Sequence, residues 1–374
     1  MRVLNVNVLL DPVTGGGTAE RTFQMSRALV SAGVDCTILT TDIGLGADRI
    51  KQLGNVRIVA LPCISRRFFV VKFSWRQMKA LVASVDVIHL MGHWSMLNAL
   101  VFILARQTGT PYVVCPAGEL PLFGRSRWLK HLFNLLIGYR VVRNAAGWIA
   151  VTPDELPAFK RYGVATERVT VIPNGINEAD FGVDEGGKFG DRIGIGAAPF
   201  ILFMGRLNPI KGPDLLLEAF CSIAHKYSSY HLVFAGPDGG LLESLQRGAK
   251  ERGVSDRVHF IGYIAGRDKA AAYRAADLLV IPSRQEAMSI VVLEAGIVGT
   301  PVLLTSCCGF DEVAIVGGGQ VVAATANDLA AGLERLLSDR PVLIGMGSRL
   351  RDHVRHHFSW DVIVKRFLGL YRGL

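Results

Sequence analysis

Apolar runs and polar breaks alternate along the chain, most sharply between residues 277 and 312, DLLVIPSRQEAMSIVVLEAGIVGTPVLLTSCCGFDE. The run Leu278–Ile281 stops at Pro282 and predicts a buried strand. A polar loop follows. The apolar stretch Ile290–Val298, closed by Gly299, then predicts a helix with Ser289 as its N-cap. Ile290, Val291, Val292, Leu293, Ala295, Ile297 and Val298 leave no polar face, so this helix is expected to be buried all round, with Glu294 its only charged side chain. A buried lone carboxylate is costly unless something hydrogen-bonds it. Glu286 lies about two helical turns earlier, so both carboxylates can face a crevice beyond the carboxyl end of the strand. Two Glu at that spacing suit a polyhydroxylated ligand, each carboxylate accepting hydroxyl hydrogen bonds. They equally suit a solvated Glu286 and a Glu294 paired with a neighbouring Arg.

The chain opens with VLNVNVLLDP and VTGGGTAERTFQMSRALVSAGVDCTILTT, which read as strand, glycine-rich loop, helix and strand, a right-handed βαβ unit. Gly15, Gly16 and Gly17 let the backbone approach a ligand closely, and Thr18 stands where it can cap a helix whose N-terminus favours anions. The layout does not fit the GxGxxG dinucleotide fingerprint, which makes an oxidoreductase the weakest reading. VDVIHLMGHWS predicts a strand over 85–90 followed by Gly92, His93 and Trp94, and TPYVVCPAGEL a strand ending at Pro116, Ala117, Gly118 and Glu119. His93 and Glu119 are therefore polar candidates at strand ends. GWIAVTP and VTVIPNGI close this half with a Pro-Asn-Gly breaker, and the Gly-rich residues 182–197 predict an exposed loop.

The second half restarts the pattern. FILFMGRLNPIKGPDLLLEAF predicts strand Phe200–Met204, a loop over 205–212, and a helix with Pro213 in its first turn. Arg206 and Lys211 in that loop can clamp a diphosphate, Arg by forked hydrogen bonds and Lys as a point charge. HLVFAG and RVHFIGYI predict two further strands.

Glu286 and Glu294, with Ala295, Gly296, Gly299, Thr300, Pro301 and Val302, resemble the signature of the large retaining GT-B glycosyltransferase family that uses nucleotide sugars, the group 1 or family 4 type. So do the Gly-Arg, four residues, Lys-Gly run at 205–212, the Ile-Pro-Asn-Gly turn and the terminal Phe-Ser-Trp. The resemblance implies an α/β GT-B fold: two facing Rossmann-like domains with parallel sheets and an interdomain cleft. It implies an acceptor-binding domain over 1–173, a nucleotide-sugar-binding domain over 174–356 and a helix over 357–374 crossing back to the first. It also implies transfer to an acceptor hydroxyl with retention of configuration from a UDP- or GDP-sugar co-substrate, with no bound cofactor or metal. Arg206 and Lys211 then neutralise the leaving diphosphate, and the chain carries no Asp-x-Asp. Glu286 lies by donor sugar and diphosphate, Glu294 holds the ribose, Ile261 and Tyr263 edge the nucleobase, and Gly15, Gly16 and Gly17 meet donor phosphate and acceptor. Met288, Ser289 and Ile290, at the helix start, join the donor site, while His93 and Glu119 are the remaining polar candidates for the catalytic set, read from their strand-end positions. The chain has Ala287, Met288 and Ser289 where the family has Gly-aromatic-Gly, and Ala117 where relatives often have His or Arg. Three other readings share the fold and clamp: a sugar-nucleotide epimerase, a hydrolase, or a non-catalytic nucleotide-sugar-binding module at a membrane surface.

Composition adds a compartment and a partner. The 374 residues suit two domains of ordinary size. Half the residues are hydrophobic and the mean hydropathy is +0.33, yet no stretch reaches the length of a membrane span, residues 96–105 being too short. Residues 2–10 lack the layout of a signal peptide. Six cysteines without metal spacing suggest a reduced cytoplasmic protein. The net charge of +9 is uneven: residues 1–173 hold 20 Lys and Arg against 10 Asp and Glu, the remainder 21 against 22. Residues 61–80 and 121–147 interleave Arg66, Arg67, Lys72, Arg76, Lys79, Arg125, Arg127, Lys130, Arg140 and Arg143 with large apolar side chains such as Phe68, Phe69, Phe73, Trp75, Phe123, Trp128, Phe133 and Leu136. That mixture suits interfacial helices on anionic lipid, hence a peripheral protein at the inner face of the plasma membrane with a lipid-linked or glycan acceptor; ordinary amphipathic helices are the alternative. No nucleic-acid-binding motif is present.

Overall fold

Short strands rich in Val, Ile and Leu, apolar on both faces, can bury themselves only in a parallel sheet covered by helices on each side. The computed structural model describes residues 1–66, 69–122, 127–182 and 189–374. It divides into one unit comprising Met1–Gly175 and Trp360–Leu374, and a second, Ile176–Ser359. The boundaries fall a few residues beyond the expected 173 and 356.

In the first unit the strands are β1 (Arg2–Val6), β2 (Asp35–Thr41), β3 (Arg57–Leu61), a two-stranded hairpin β4 (Cys63–Ser65) and β5 (Val70–Val71), then β6 (Val87–Met91), β7 (Tyr112–Cys115), β8 (Gly147–Ala150) and β9 (Val169–Val171). All but the hairpin form one parallel sheet in the order β3-β2-β1-β6-β7-β8-β9. The second unit has β10 (Phe200–Met204), β11 (His231–Ala235), β12 (Val258–Gly262), β13 (Leu278–Ile281), β14 (Val302–Thr305) and β15 (Gly319–Val322), parallel in the order β12-β11-β10-β13-β14-β15. Both are doubly wound sheets. Their strand order reverses between β1 and β6 and between β10 and β13, where such sheets open a crevice beyond the strand ends.

Two helical segments that meet at Gly16, together Pro12–Ser31, replace most of the expected loop. Asp11 is the N-cap of the first, accepting from the backbone N–H groups of Val13 and Thr14, and the glycines fall at the junction, which kinks at Gly16 (φ 60°, ψ −143°). Thr18 caps nothing; its hydroxyl donates to the Gly15 carbonyl at 3.1 Å. The stretch 61–80 is likewise not one helix but the β4–β5 hairpin followed by the helix Trp75–Ala83. Arg67, Phe68, Phe123 and Arg125 lie outside the described residues, as do 183–188 of the expected Gly-rich loop, whose residues Phe189–Arg192 form a short helix.

Arg21, only 2% exposed, donates to Asn174 Oδ1 at 2.9 Å and to the Ile172 carbonyl at 2.7 Å, so one buried guanidinium fixes the Pro-Asn-Gly turn to the first helix. The helix Trp360–Arg372 belongs to this unit, beginning after Ser359 rather than at 357. Tyr371 OH lies 2.7 Å from His89 Nδ1, and the Arg21 guanidinium lies 5.5 Å from the Phe367 ring centroid.

In the second unit the helix Ile290–Val298 buries Val292, Leu293, Glu294, Ala295, Gly296 and Ile297, while Ile290, Val291 and Val298 are half-buried, so the burial expected all round is met over most of its surface. It packs on the helix Arg340–Phe358 at glycine contacts: a Cβ on Gly347 would lie 1.9 Å from the Gly299 carbonyl oxygen. Because that neighbour is backbone, Gly347→Ala should cost about 1–3 kcal/mol, the usual penalty of an overpacked core. Urea denaturation with an unchanged slope and a lowered midpoint is the expected result.

Candidate active site

At the β10/β13 reversal two loops are pressed together. Gly212, the N-cap of the helix Pro213–Ile223, has φ 67°, and a Cβ there would lie 2.1 Å from the Pro282 carbonyl oxygen. Only glycine accepts both the left-handed backbone and the contact. Arg284 completes the junction. Its N–H donates to the Ile210 carbonyl at 2.8 Å, and its guanidinium donates to the Pro209 carbonyl and to both carboxylate oxygens of Asp214 at 2.8 and 2.6 Å.

This junction brings Lys211 Nζ to 2.8 Å from Glu286 Oε1, with the Ser283 hydroxyl donating to the same oxygen. The Glu286 backbone N–H donates to the Cys307 carbonyl at 2.9 Å. Arg206 sits in the same loop. Its carbonyl accepts from Asn208 N–H, Asn208 Oδ1 accepts from Lys211 N–H at 3.0 Å, and its aliphatic stem lies where a Cβ on Gly239 would fall. Arg206, Lys211 and Glu286, predicted from two short motifs, therefore belong to one strand-end corner.

The strand ends beside it are glycines. Gly236 N–H donates to the Gly262 carbonyl at 2.7 Å, and a Cβ on Gly236 would lie 1.9 Å from the Gly205 carbonyl. The carboxyl edge of β10, β11 and β12 is thus bare backbone, with Ile261 partly buried and the Tyr263 ring exposed at its far end.

Glu294 has partners the sequence reading missed. Lys269 Nζ lies 2.7 Å from its Oε1 and Tyr273 OH donates to its Oε2 at 2.7 Å. Neither is the neighbouring Arg considered above. The legible signal was their spacing, four apart on the helix Gly266–Ala275. Burial, then Glu294 itself, pushes the Tyr273 hydroxyl well above its ordinary pKa. Ser289 occupies the expected N-cap position, but its hydroxyl does not cap; it is buried without a hydrogen-bond partner among the described residues. Its N–H donates to the Cys308 carbonyl at 3.1 Å. Met288 is buried, Ile290 half-buried, and a Cβ on Gly309 would lie 2.0 Å from the Ala287 carbonyl. The loop after β14 therefore fixes the segment 287–289 from behind. A buried hydroxyl donor at a helix N-terminus suits an anionic or hydroxylated ligand.

In the first unit His93 and Glu119 share the corner beyond β6 and β7. Glu119 Oε2 accepts from His93 N–H at 2.7 Å, and the Trp94 indole N–H donates to the Glu119 carbonyl at 2.6 Å. His93 Nε2 lies 2.9 Å from Asn134 Oδ1, whose amide nitrogen donates to Tyr162 OH at 2.7 Å. Nε2 is thus the protonated nitrogen. Burial is the main cause that lowers the His93 pKa to about 4 and raises that of the Glu119 carboxyl. Ala117, at φ 50°, turns the chain so that Gly118 N–H donates to Glu155 Oε2 at 2.6 Å, while Val151 N–H donates to Glu155 Oε1 at 2.7 Å. Glu155 escaped the sequence reading because nothing in TPDE marks it as buried. Gly15, Gly16 and Gly17 lie in this unit, in the first turns of the helix after β1. Among the described residues no group of three or more His, Cys, Asp or Glu could hold a metal ion.

Residues 192–353 match the family of glycosyl transferases group 1, and residues 16–175 a glycosyl transferase 4-like domain. An uncharacterized glycosyltransferase of Methanocaldococcus jannaschii is 33% identical over 218 residues, which cover 56% of this chain and 55% of that one. The chain thus spans little more than half the length of that relative. The D-inositol 3-phosphate glycosyltransferase of Actinosynnema mirum is 30% identical, with 99% of this chain and 96% of the relative covered. Among solved structures, Anabaena HepE in complex with UDP and glucose shares the fold at a TM-score of 0.81, 18% identity and full coverage of both chains.

The buried imidazole gives a pH test. With an ordinary value of 6.5 and a folded value of about 4, His93 takes up its proton in the unfolded chain first. Its contribution to stability is complete above about 6.5 and is lost as pH falls towards 4. Glu119 and Glu155, whose carboxyls are raised by burial, act in the opposite sense. The difference between wild type and His93→Gln therefore isolates the imidazole: the wild-type unfolding midpoint should fall more steeply between pH 6.5 and 4 than that of the variant.

Proposed function

We propose that this chain, which belongs to the group 1 glycosyltransferases, moves a sugar from a UDP- or GDP-sugar to an acceptor hydroxyl with retention of configuration. The observation that carries the reading is the Lys211–Glu286 pair at the β10/β13 corner, with Arg206 in the same loop. A nucleotide sugar needs cations where its diphosphate departs, hydroxyl acceptors for sugar and ribose, and a flat edge for its base. The second unit offers each of these: Arg206 and Lys211, Glu286 and Glu294, and the glycine edge with Ile261 and Tyr263.

Cleavage of the bond between sugar and diphosphate leaves negative charge on the phosphate oxygens and an oxocarbenium-like sugar. Fixed cations stabilise that charge most where they are already oriented, and Lys211 is held by Glu286 and by its own backbone bond to Asn208. The Ser289 hydroxyl and the N-terminus of the helix Ile290–Val298 add donors for a second phosphate oxygen or a sugar hydroxyl. With the phosphate neutralised by protein cations, the transfer needs no metal. The acceptor hydroxyl then attacks from the face the phosphate leaves, passing its proton to the departing phosphate. His93 and Glu119 position the acceptor in the first unit, Glu119 by the carboxylate oxygen that His93 N–H does not bind. The acceptor class that fits the basic first half is a lipid-linked sugar or a membrane-borne glycan, with the protein peripheral at the cytoplasmic face of the plasma membrane. No described helix is long and apolar enough to cross a membrane.

The test is nucleotide release across a panel of nucleotide sugars, with and without acceptor. Release that needs acceptor supports transfer; equal release without it points to a hydrolase or epimerase, and binding without release to a non-catalytic module. Lys211→Ala should lower kcat roughly a hundredfold to a thousandfold, about 2.7–4 kcal/mol, as loss of one preorganised donor does. Undiminished kcat in that variant would remove the clamp. Activity should also survive EDTA; loss restored by Mg²⁺ or Mn²⁺ would overturn the metal-free transfer.

A further inference from the structure

The segment 127–143 runs as one helical stretch through Arg127–Phe133, a π-turn Asn134–Gly138 and Tyr139–Arg143. Its inner face is committed to the first unit's corner. Lys130 Nζ lies 5.1 Å from the Trp94 ring, Phe133 meets the His93 ring edge-on at 5.7 Å, and Asn134 bonds His93 and Tyr162. A Cβ on Gly138 would lie 2.3 Å from Asn134 Oδ1. The outer face carries Trp128, Leu132, Leu135 and Leu136, which are 68, 44, 77 and 63% exposed. Their spacing of four, three and one places them on a single stripe. Arg127, His131, Arg140 and Arg143 are exposed beside it.

Two neighbouring helices extend this side of the sheet. The crossovers from β3 to β6, β6 to β7 and β7 to β8 all advance in one direction, so right-handed connections place the helices Trp75–Ala83, Met96–Thr108 and 127–143 on the same face. Trp75, Met96 and Ile103 are exposed there, with Arg76, Lys79 and Arg106. From Arg49 to Pro153 the sequence carries only two acids, Asp86 and Glu119. Asp86 is paired with Arg2 at 2.7 Å, and Glu119 is bonded to His93 and Trp94 N–H groups.

We infer that this face docks on an anionic lipid bilayer through the stripe Trp128, Leu132, Leu135 and Leu136. An excess of clustered cations over acids, with Asp86 already paired to Arg2, calls for an anionic partner, and a contiguous row of large apolar side chains calls for one with an apolar interior. A second copy of the chain would set the same cations against each other. The inner face of the docking segment holds His93 and abuts Glu119's corner, so docking brings the acceptor-positioning residues to the lipid surface. For the acceptor's class this rests on the transfer reaction proposed above: it takes a hydroxyl carried by a lipid headgroup rather than a freely diffusing one.

The test uses vesicles of phosphatidylcholine with increasing phosphatidylglycerol, without donor or acceptor, so that it stands or falls separately from nucleotide release measured without vesicles. Wild type should cosediment with anionic vesicles and be released by salt. Bilayers with brominated acyl chains should quench its tryptophan emission, a response reduced in Trp128→Phe. Leu132→Ser/Leu135→Ser/Leu136→Ser changes only exposed side chains and should keep the wild-type circular dichroism while binding at least about tenfold more weakly. Absence of binding to strongly anionic vesicles at low salt, or equal binding by the triple variant, would overturn the inference. So would a lipid-free dimer that the triple variant abolishes, which would assign the stripe to a second copy of the chain.

Discussion

The close approach of two backbones, Gly212 against the Pro282 carbonyl, is the constraint on which the β10/β13 corner depends. Because no side chain separates the β10 and β13 loops, Lys211 can reach Glu286 across them, and Arg284 can bond a carbonyl of one loop while holding Asp214 beyond it. The same device recurs along the sheet edge at Gly205 and Gly236 and behind it at Gly309 against Ala287. Glycine serves here by letting main chains touch, which fixes the positions of cations and carboxylates more tightly than side-chain packing would.

Much of this corner was legible because its chemistry is local in sequence. Strand, breaker and helix follow one another within some 20 residues on each side of the β10/β13 reversal, so periodicity alone placed Arg206, Lys211, Glu286 and Glu294 at strand ends or on the buried helix. What could not be read is contact across distant segments. Lys269 and Tyr273 sit on a helix whose sequence is polar enough to pass for a solvated face, and nothing local says that Glu294 is opposite. Glu155 shows the same limit: a carboxylate in a Pro-Asp-Glu turn reads as exposed until two backbone N–H groups are found pointing at it. The first helix misled for a different reason. Three successive glycines argue for a loop, but the Asp11 cap and Pro12 start the helix before them, and the kink at Gly16 absorbs their freedom.

The two units handle their buried polar groups differently. The first unit holds Arg21, His89, His93, Glu155 and Tyr371 among its strands and terminal helix, each bonded to a carbonyl, an amide or another ring. Burial keeps both imidazoles neutral over the physiological range, with His89 lowered to about 3. Each member of such a network would be costly if left alone. In the second unit Glu294 is the one buried charged side chain among the described residues, and it is held on its helix by Lys269 and Tyr273.

Glu294 is held at both oxygens before any ligand arrives. Its rotamer is therefore chosen during folding, and the entropy of ordering it is not charged against binding. Each oxygen keeps a lone pair beyond its single protein partner, so an incoming hydroxyl adds to the carboxylate's bonds without displacing Lys269 or Tyr273. In the ribose-holding role proposed above, a carboxylate arranged in this way selects by fit to a fixed acceptor. A ligand lacking a hydroxyl at that place would leave the pair undisturbed, so the cost of the mismatch would fall on the ligand's own missing bond and not on a charge stranded in the protein.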